Sequence, residues 1–376
     1  MMDKIFLAGA YLVMGAVVLR YIRPVCIRFR EQVLITMVCA LAALSTAWSQ
    51  DPLTTAKDAV FLVISVGFVY AIKARYSIEQ QMEIMMLLGV VFGALCSVAA
   101  IAHPSTGLDS MHGRAWQGIC FSKNHFGRMC VFLLTPALHY SGKAAAAKLF
   151  RVVYVLAIVS LVALSESRTA WIALLLYVLY AGTVSIINKF GCKSAQAMLV
   201  FIVPLTISIL ALCLINFQEV MAVFNRDPSL TGRREIWSVL MISIQKHPMF
   251  GFGYRAFFAG AQSEGANAIV ALFALMHFMP EYAHSGYLSV VLEVGVVGLG
   301  LVIALICRAL RYSRRCLGVD RAKYTEWYVG LVFLTIVVNA TEVTFMIPSY
   351  LPWLLFILAV VGLSEDVRSR PGEILS

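Results

Sequence analysis

Five cations, one imidazole and three carboxylates fall where this chain could do chemistry. Arg168 lies in Ser165-Glu166-Ser167-Arg168-Thr169, a tight turn between two apolar runs. A guanidinium there could clamp a phosphate through two parallel N–H donors, with Glu166 orienting it. It could equally be a helix-end arginine snorkelling to water. Arg233 and Arg234 stand at an expected helix start. A cation there opposes the helix dipole, and a bound anion would offset the penalty; a solvated loop pair is the plainer alternative. His284 falls in Tyr282-Ala283-His284-Ser285-Gly286, where a polar loop returns to an apolar run. A neutral imidazole at such a boundary can act as a general base near neutral pH, or it can be structural. Glu293 lies nine residues later, inside the apolar run Leu288 to Leu305. Nine residues turn a helix by about 180°, so Glu293 is not expected to touch His284. Gly286, Ser289, Glu293 and Gly300 share one helix face, and that face should point into the protein. Glu342 is a similar carboxylate near the end of a later apolar run. Lys123 and Arg114 are second-rank contacts for a phosphate or a sugar.

The elements that must position these groups are membrane spans. The 376 residues are 61% hydrophobic and 13% charged, with a mean hydropathy of +0.84. A soluble domain carries about 25% charged residues, so too few charges are present to coat this exterior. Lipid must cover much of it. Apolar runs predict an all-α polytopic membrane fold of about eleven transmembrane helices, near 4–20, 33–49, 58–73, 84–102, 126–141, 149–165, 168–187, 197–217, 285–307, 325–341 and 348–364. Arg20, Arg23, Arg28 and Arg30 follow the first run, which argues for an uncleaved span rather than a leader. Nineteen of the 30 Lys and Arg fall in the loops this topology puts inside. The N-terminus is thus expected outside and the C-terminus inside. The net charge of +10 therefore speaks of membrane orientation, not of nucleic acid. The nine cysteines show no metal or disulfide spacing; Cys120 alone is expected in an outer loop.

The chain is expected to be one integral membrane domain with two long outer segments, 103–125 and 218–284. Long loops carry the functional expectation. The larger one should hold a helix starting near Thr231, with Ile236, Trp237, Leu240, Met241 and Ile244 as its apolar stripe. Pro248 and Gly251-Phe252-Gly253 should end it. Arg168 also lies on the outer side, where the positive-inside rule expects few arginines. No Asp-x-Asp, Walker loop, HExxH or Gly-x-Ser-x-Gly appears, which disfavours metal-bound nucleotide-sugar chemistry, ATP hydrolysis and zinc hydrolysis.

The phrases Thr231-Gly-Arg233-Arg-Glu-Ile-Trp237, Gly251-Phe-Gly253 and His284-Ser-Gly-Tyr-Leu-Ser-Val-Val-Leu-Glu293 resemble the O-antigen ligase and polymerase superfamily, most of all its exopolysaccharide-polymerase branch. Trp48-Ser-Gln-Asp51-Pro52, Gly118 to Gly127, and Ser167-Arg168-Thr-Ala-Trp171 occur in the order that branch has. Ser285 departs from it, because an Asn often follows the histidine; many members also have an additional span. The resemblance implies a C-type glycosyltransferase-like fold in a bacterial inner membrane, with the site facing the periplasm. It implies an undecaprenyl-pyrophosphate-linked oligosaccharide as donor, with no cofactor and no metal. Arg168 and Arg233, with Arg234 and Lys123, would hold the pyrophosphate, and His284 would meet the reacting hydroxyl. Arg233 and His284 would be catalytic, with Glu166, Glu293 and Glu342 in support. Membrane lipid, a flippase and a chain-length regulator are the partners implied. Two functions stay open at this point: a polymerase joining repeat units, and a ligase passing the glycan to a lipid A core. A transporter, the reading from another class, would need matched Gly/Pro-broken helices in two halves, and none is seen.

Overall fold

The computed structural model describes residues 2–109, 114–140, 142, 144–190, 233–259, 267, 282–316 and 324–368. Regular structure among them is helical apart from one isolated bridge between Leu108 and Trp116. The helices are α1 (Met2–Arg20), α2 (Ile22–Glu31), α3 (Val33–Leu44), α4 (Pro52–Arg75), α5 (Ile78–Ala102), α6 (Pro104–Gly107), α7 (Lys123–His139), α8 (Ala145–Leu164), α9 (Arg168–Phe190), α10 (Arg233–Lys246), α11 (Gly286–Cys316), α12 (Thr325–Asn339) and α13 (Leu351–Arg368).

Among the described residues, α4, α5, α8, α9 and α11 are long and apolar enough to cross a membrane. The bent pair α1–α2 would make a sixth. Shorter apolar helices answer to the spans expected at 33–49, 325–341 and 348–364. The chain is an all-α polytopic membrane protein. Span 197–217 and the cap at Thr231 lie outside the described residues.

Two departures from the expected spans have physical causes. Residues 20–32, expected as a loop, contain α2, which meets α1 at 87°. At ten residues, three of them arginine, α2 is too short and too charged to span. The apolar run at 325–341 stops being helical at Asn339. The Asn339 side chain accepts the Thr344 and Phe345 backbone N–H groups, at 3.0 and 3.1 Å, and so closes the turn that follows α12.

The chain divides into two compact units: Met1–Met37, Phe61–Ala181 and Ile303–Ser376 form one, Val38–Val60 and Gly182–Val302 the other. In the first unit α7 packs on α5 and α8, and α12 on α13 and α7. Its largest buried side chains include Trp327, Trp353, Tyr328, Phe126 and Phe132. Several of the polar groups inside are paired, as burial away from water favours. Trp327 Nε1 donates to Thr135 Oγ1 at 2.9 Å, and the Tyr328 hydroxyl donates to Gln81 at 2.6 Å. Large aliphatic side chains lie on the outside instead: along α5, Leu87, Val91, Leu95, Val98 and Ile101 are exposed. That is the pattern of a lipid-facing helix.

Groups that the basic-residue pattern assigns to one side of the membrane come together in this unit. Arg28 donates to Glu365 at 2.9 Å, and Lys73 lies 3.8 Å from the same carboxylate. The buried Gln32 amide donates to Ser364 at 2.7 Å and accepts from Arg308.

Candidate functional site

In the second unit, the site is built around a break in α11. Val294 and Gly295 leave helical geometry, which frees the carbonyls of the preceding turn and the N–H groups of the next. The loop after α10 takes up both sets. Phe252 and Gly253 donate to the Leu292 and Glu293 carbonyls at 2.8 and 3.0 Å. Val296 and Val297 donate to the Pro248 and Met249 carbonyls at 2.9 and 3.3 Å. Gly295 has φ 69°, and a side chain on it would fall on the Met249 carbonyl. Gly253, with φ 104°, lies against Ser49; a Cβ there would sit 2.7 Å from the Ser49 Cα. Both positions therefore require glycine. Segment 45–55 grips the loop's other edge. Trp48 Nε1 donates to the Phe250 carbonyl at 3.1 Å, Gln50 N to Phe252 at 3.1 Å, and Thr55 Oγ1 to Tyr254 at 2.8 Å. Trp48-Ser-Gln-Asp51-Pro52 is thus the bracket for Gly251-Phe-Gly253. Asp51 caps α4 by accepting the Thr54 N–H at 3.0 Å, which holds its carboxyl below the usual range.

His284 enters α11 from this framework. Helix α10 buries Ile236 and Leu240 against Phe252, Phe257, Ala283 and Leu292, with Trp237 and Ile244 at the edge. Met241, expected on the same stripe, is exposed. Trp237 Nε1 donates to the Ala283 carbonyl at 2.9 Å, which fixes the residue before His284. His284 has φ 49°, an uncommon backbone for a non-glycine residue and one that persists where surroundings hold it. Its ring lies 4.3 Å from that of Tyr282. Arg233 and Arg234 are the first two residues of α10, so Arg233 begins one turn before the tryptophan that holds the His284 segment.

Glu293 sits beside Arg255. Its carboxylate accepts the Arg255 backbone N–H, and the Arg255 guanidinium also lies 3.6 Å from Asp58. Arg255 is another residue with positive φ, at 60°. Sequence reasoning passed over it, although an arginine directly after a glycine-rich loop was a usable signal.

The first unit holds the other cations. Lys123 and Arg168 are the first residues of α7 and α9. Each follows a serine cap: Ser122 Oγ accepts the His125 N–H at 3.2 Å, and Ser167 Oγ accepts the Ala170 N–H at 3.4 Å. Ser167 also donates to the Asn124 side chain at 2.9 Å, which ties the two helix starts together. Two helix N-termini with a cation at each can attract an anion. Glu166, expected to orient Arg168, is exposed in the turn with φ 47°. Arg114 has φ 64° and donates its backbone N–H to Asp109 at 3.1 Å.

Glu342 is buried and accepts from Arg128 at 2.6 Å; Arg128 Nε donates to the Tyr350 hydroxyl at 2.8 Å. Arg128 was missed in the sequence. Its signal was an ionisable residue inside an apolar helix. His125 lies one turn before it, with ring centroids 4.6 Å from Phe121 and 5.2 Å from Tyr350. Among the described residues neither of its ring nitrogens has a hydrogen-bond partner, and both are buried. Burial, with the Arg128 charge beside it, pushes its pKa down to about 4.

Known proteins resemble the chain across this region. The O-antigen ligase family matches residues 153–303, which take in Arg168, Arg233, Arg234, His284 and Glu293. The exopolysaccharide production protein ExoQ of Rhizobium meliloti (strain 1021) is 24% identical over 157 residues, 42% of this chain and 36% of that protein. The chain thus spans about a third of that curated relative's length. A solved chain from the work "Structural coordination of polymerization and crosslinking by a peptidoglycan synthase complex" aligns with a TM-score of 0.45 at 16% identity, over 90% of this chain and 97% of that one. By the match over residues 153–303 and the relation to ExoQ, the chain is similar to the O-antigen ligase and polymerase superfamily.

Proposed function

We propose that this chain is a membrane glycosyltransferase joining oligosaccharide repeat units carried on undecaprenyl pyrophosphate, at the outer leaflet of a bacterial inner membrane. The observation that carries this reading is the Trp237–Ala283 hydrogen bond of 2.9 Å. It couples the helix opened by Arg233 to the segment holding His284, within the region matched to O-antigen ligases. The name of ExoQ supports exopolysaccharide as the product class.

The chemistry needs charge stabilisation more than activation. The acceptor hydroxyl oxygen bonds to C1 of the donor sugar. The C1–oxygen bond to the diphosphate breaks, and its electron pair leaves with the diphosphate. Arg233 and Arg168, with Arg234 and Lys123, neutralise the charge that develops there, at a few kcal/mol per donor. His284 takes the hydroxyl proton. One displacement inverts the anomeric centre. Guanidinium groups do a metal ion's work, so the reaction is metal-independent. Glu166, Glu293 and Glu342 are supports, and a flippase and a chain-length regulator are the protein partners.

The second reading is transfer to a lipid A core, which the O-antigen ligase match favours. The product decides. The purified full chain is incubated with lipid-linked repeat unit in EDTA, with and without lipid A core. A ladder of polymer without core is expected. Product only with core would move the assignment to the ligase. No glycosyl transfer under either condition would reject both.

A further inference from the structure

His125 is the group that the mechanism leaves unused. It stands in the described state with both ring nitrogens buried and unsatisfied, a condition that costs free energy and calls for a partner. Its surroundings limit what that partner can be. The ring lies between Phe121 and Tyr350, and Arg128 is one turn further along α7. That setting keeps the imidazole neutral, with one N–H donor and one bare nitrogen acceptor. A phosphate oxygen could use only the donor. A sugar hydroxyl, both donor and acceptor, satisfies the ring's chemistry better. Position agrees with this. Lys123 begins the same helix, and the adjoining Asn124 is bonded to Ser167 at the start of α9. Phe121 is 71% exposed, so its ring can swing to uncover the imidazole and present an aromatic face. Aromatic faces with a few polar groups suit a pyranose ring, which is apolar on its C–H face and polar at its rim.

We infer that His125, Phe121 and Asn124 form a sugar subsite that holds the first residues of the lipid-linked glycan beside the Lys123–Arg168 cradle. This rests on the proposed reading that the cradle takes the pyrophosphate. His125 is a binding residue here, distinct in role from His284.

The test measures binding of two probes to the detergent-solubilised full chain: undecaprenyl pyrophosphate without sugar, and the lipid-linked repeat unit isolated from the organism's own membranes. His125→Ala and Phe121→Ala should each weaken binding of the glycosylated lipid about tenfold and leave the sugar-free lipid unchanged. His125→Gln, which keeps a donor and an acceptor, should restore most of the loss. Equal weakening on both probes, or none on the glycosylated one, would overturn the subsite. Phe121 is exposed, so its variant should fold even if His125→Ala does not. Arg168→Ala is the separate arm. If it leaves undecaprenyl pyrophosphate binding unchanged, the cradle fails, whatever the His125 variants do.

Discussion

Arg128 and Glu342 form a buried pair, and each makes the other tolerable away from water. Removing one leaves an uncompensated charge, whereas removing both leaves only a packing change. Arg128→Ala or Glu342→Ala should therefore lower stability by about 3 kcal/mol or more, with Arg128→Met/Glu342→Leu milder than either, as read by thermal unfolding in detergent. His125 gives a pH prediction. Its folded pKa, about 4, lies below the ordinary 6.5, so the unfolded chain binds the proton first as pH falls. Stability should drop as pH is lowered from about 6.5 towards 4, and His125→Gln should remove that part of the slope in the melting temperature. Glu342 was legible in the sequence because a carboxylate in an apolar run draws notice. Arg128 is 214 positions away from it, and no local pattern reports that distance. The partners of Arg255 were hidden for the same reason: Asp58 and Glu293 reach it only through folding.

The helical elements were mostly visible. Apolar periodicity revealed α10, and Pro248 with the glycines after it marked its end. The break in α11 was not visible, because Leu292-Glu293-Val294-Gly295-Val296 reads as a continuous apolar helix. It is stable only because a loop 40 to 48 residues earlier returns hydrogen bonds to both edges of the break. The Gly251-Phe-Gly253 phrase follows the helix end as expected, and it is also a clamp. Gly253→Ala and Gly295→Ala should each cost about 2 kcal/mol or more, from strained φ and from contact with backbone or Ser49. Trp237→Phe keeps most of the apolar area but loses the bond to Ala283; about 1 kcal/mol of stability should go with it. Elongation should fall more than the melting temperature implies if that bond positions His284.

For the whole molecule, the membrane class was legible from composition, because lipid-facing surface needs no charge. Counting spans was harder. Apolar runs do not reveal where a side chain such as Asn339 ends a helix, or where the chain turns by 87° after α1. Arg28, Lys73 and Arg308, which loop charge assigns to one side, converge with Gln32 and Glu365 in one unit. Orientation is testable with cysteine substitutions and a membrane-impermeant thiol reagent. Glu166→Cys should label in intact cells and Arg75→Cys only after permeabilisation; the reverse would invert the topology. Chemistry is the final test of the whole arrangement. The decisive quantity is kcat/KM for elongation of lipid-linked repeat unit in EDTA by Arg233→Ala and His284→Ala, at unchanged membrane levels. We predict a fall of about 100-fold or more in each; undiminished activity in both would contradict the account.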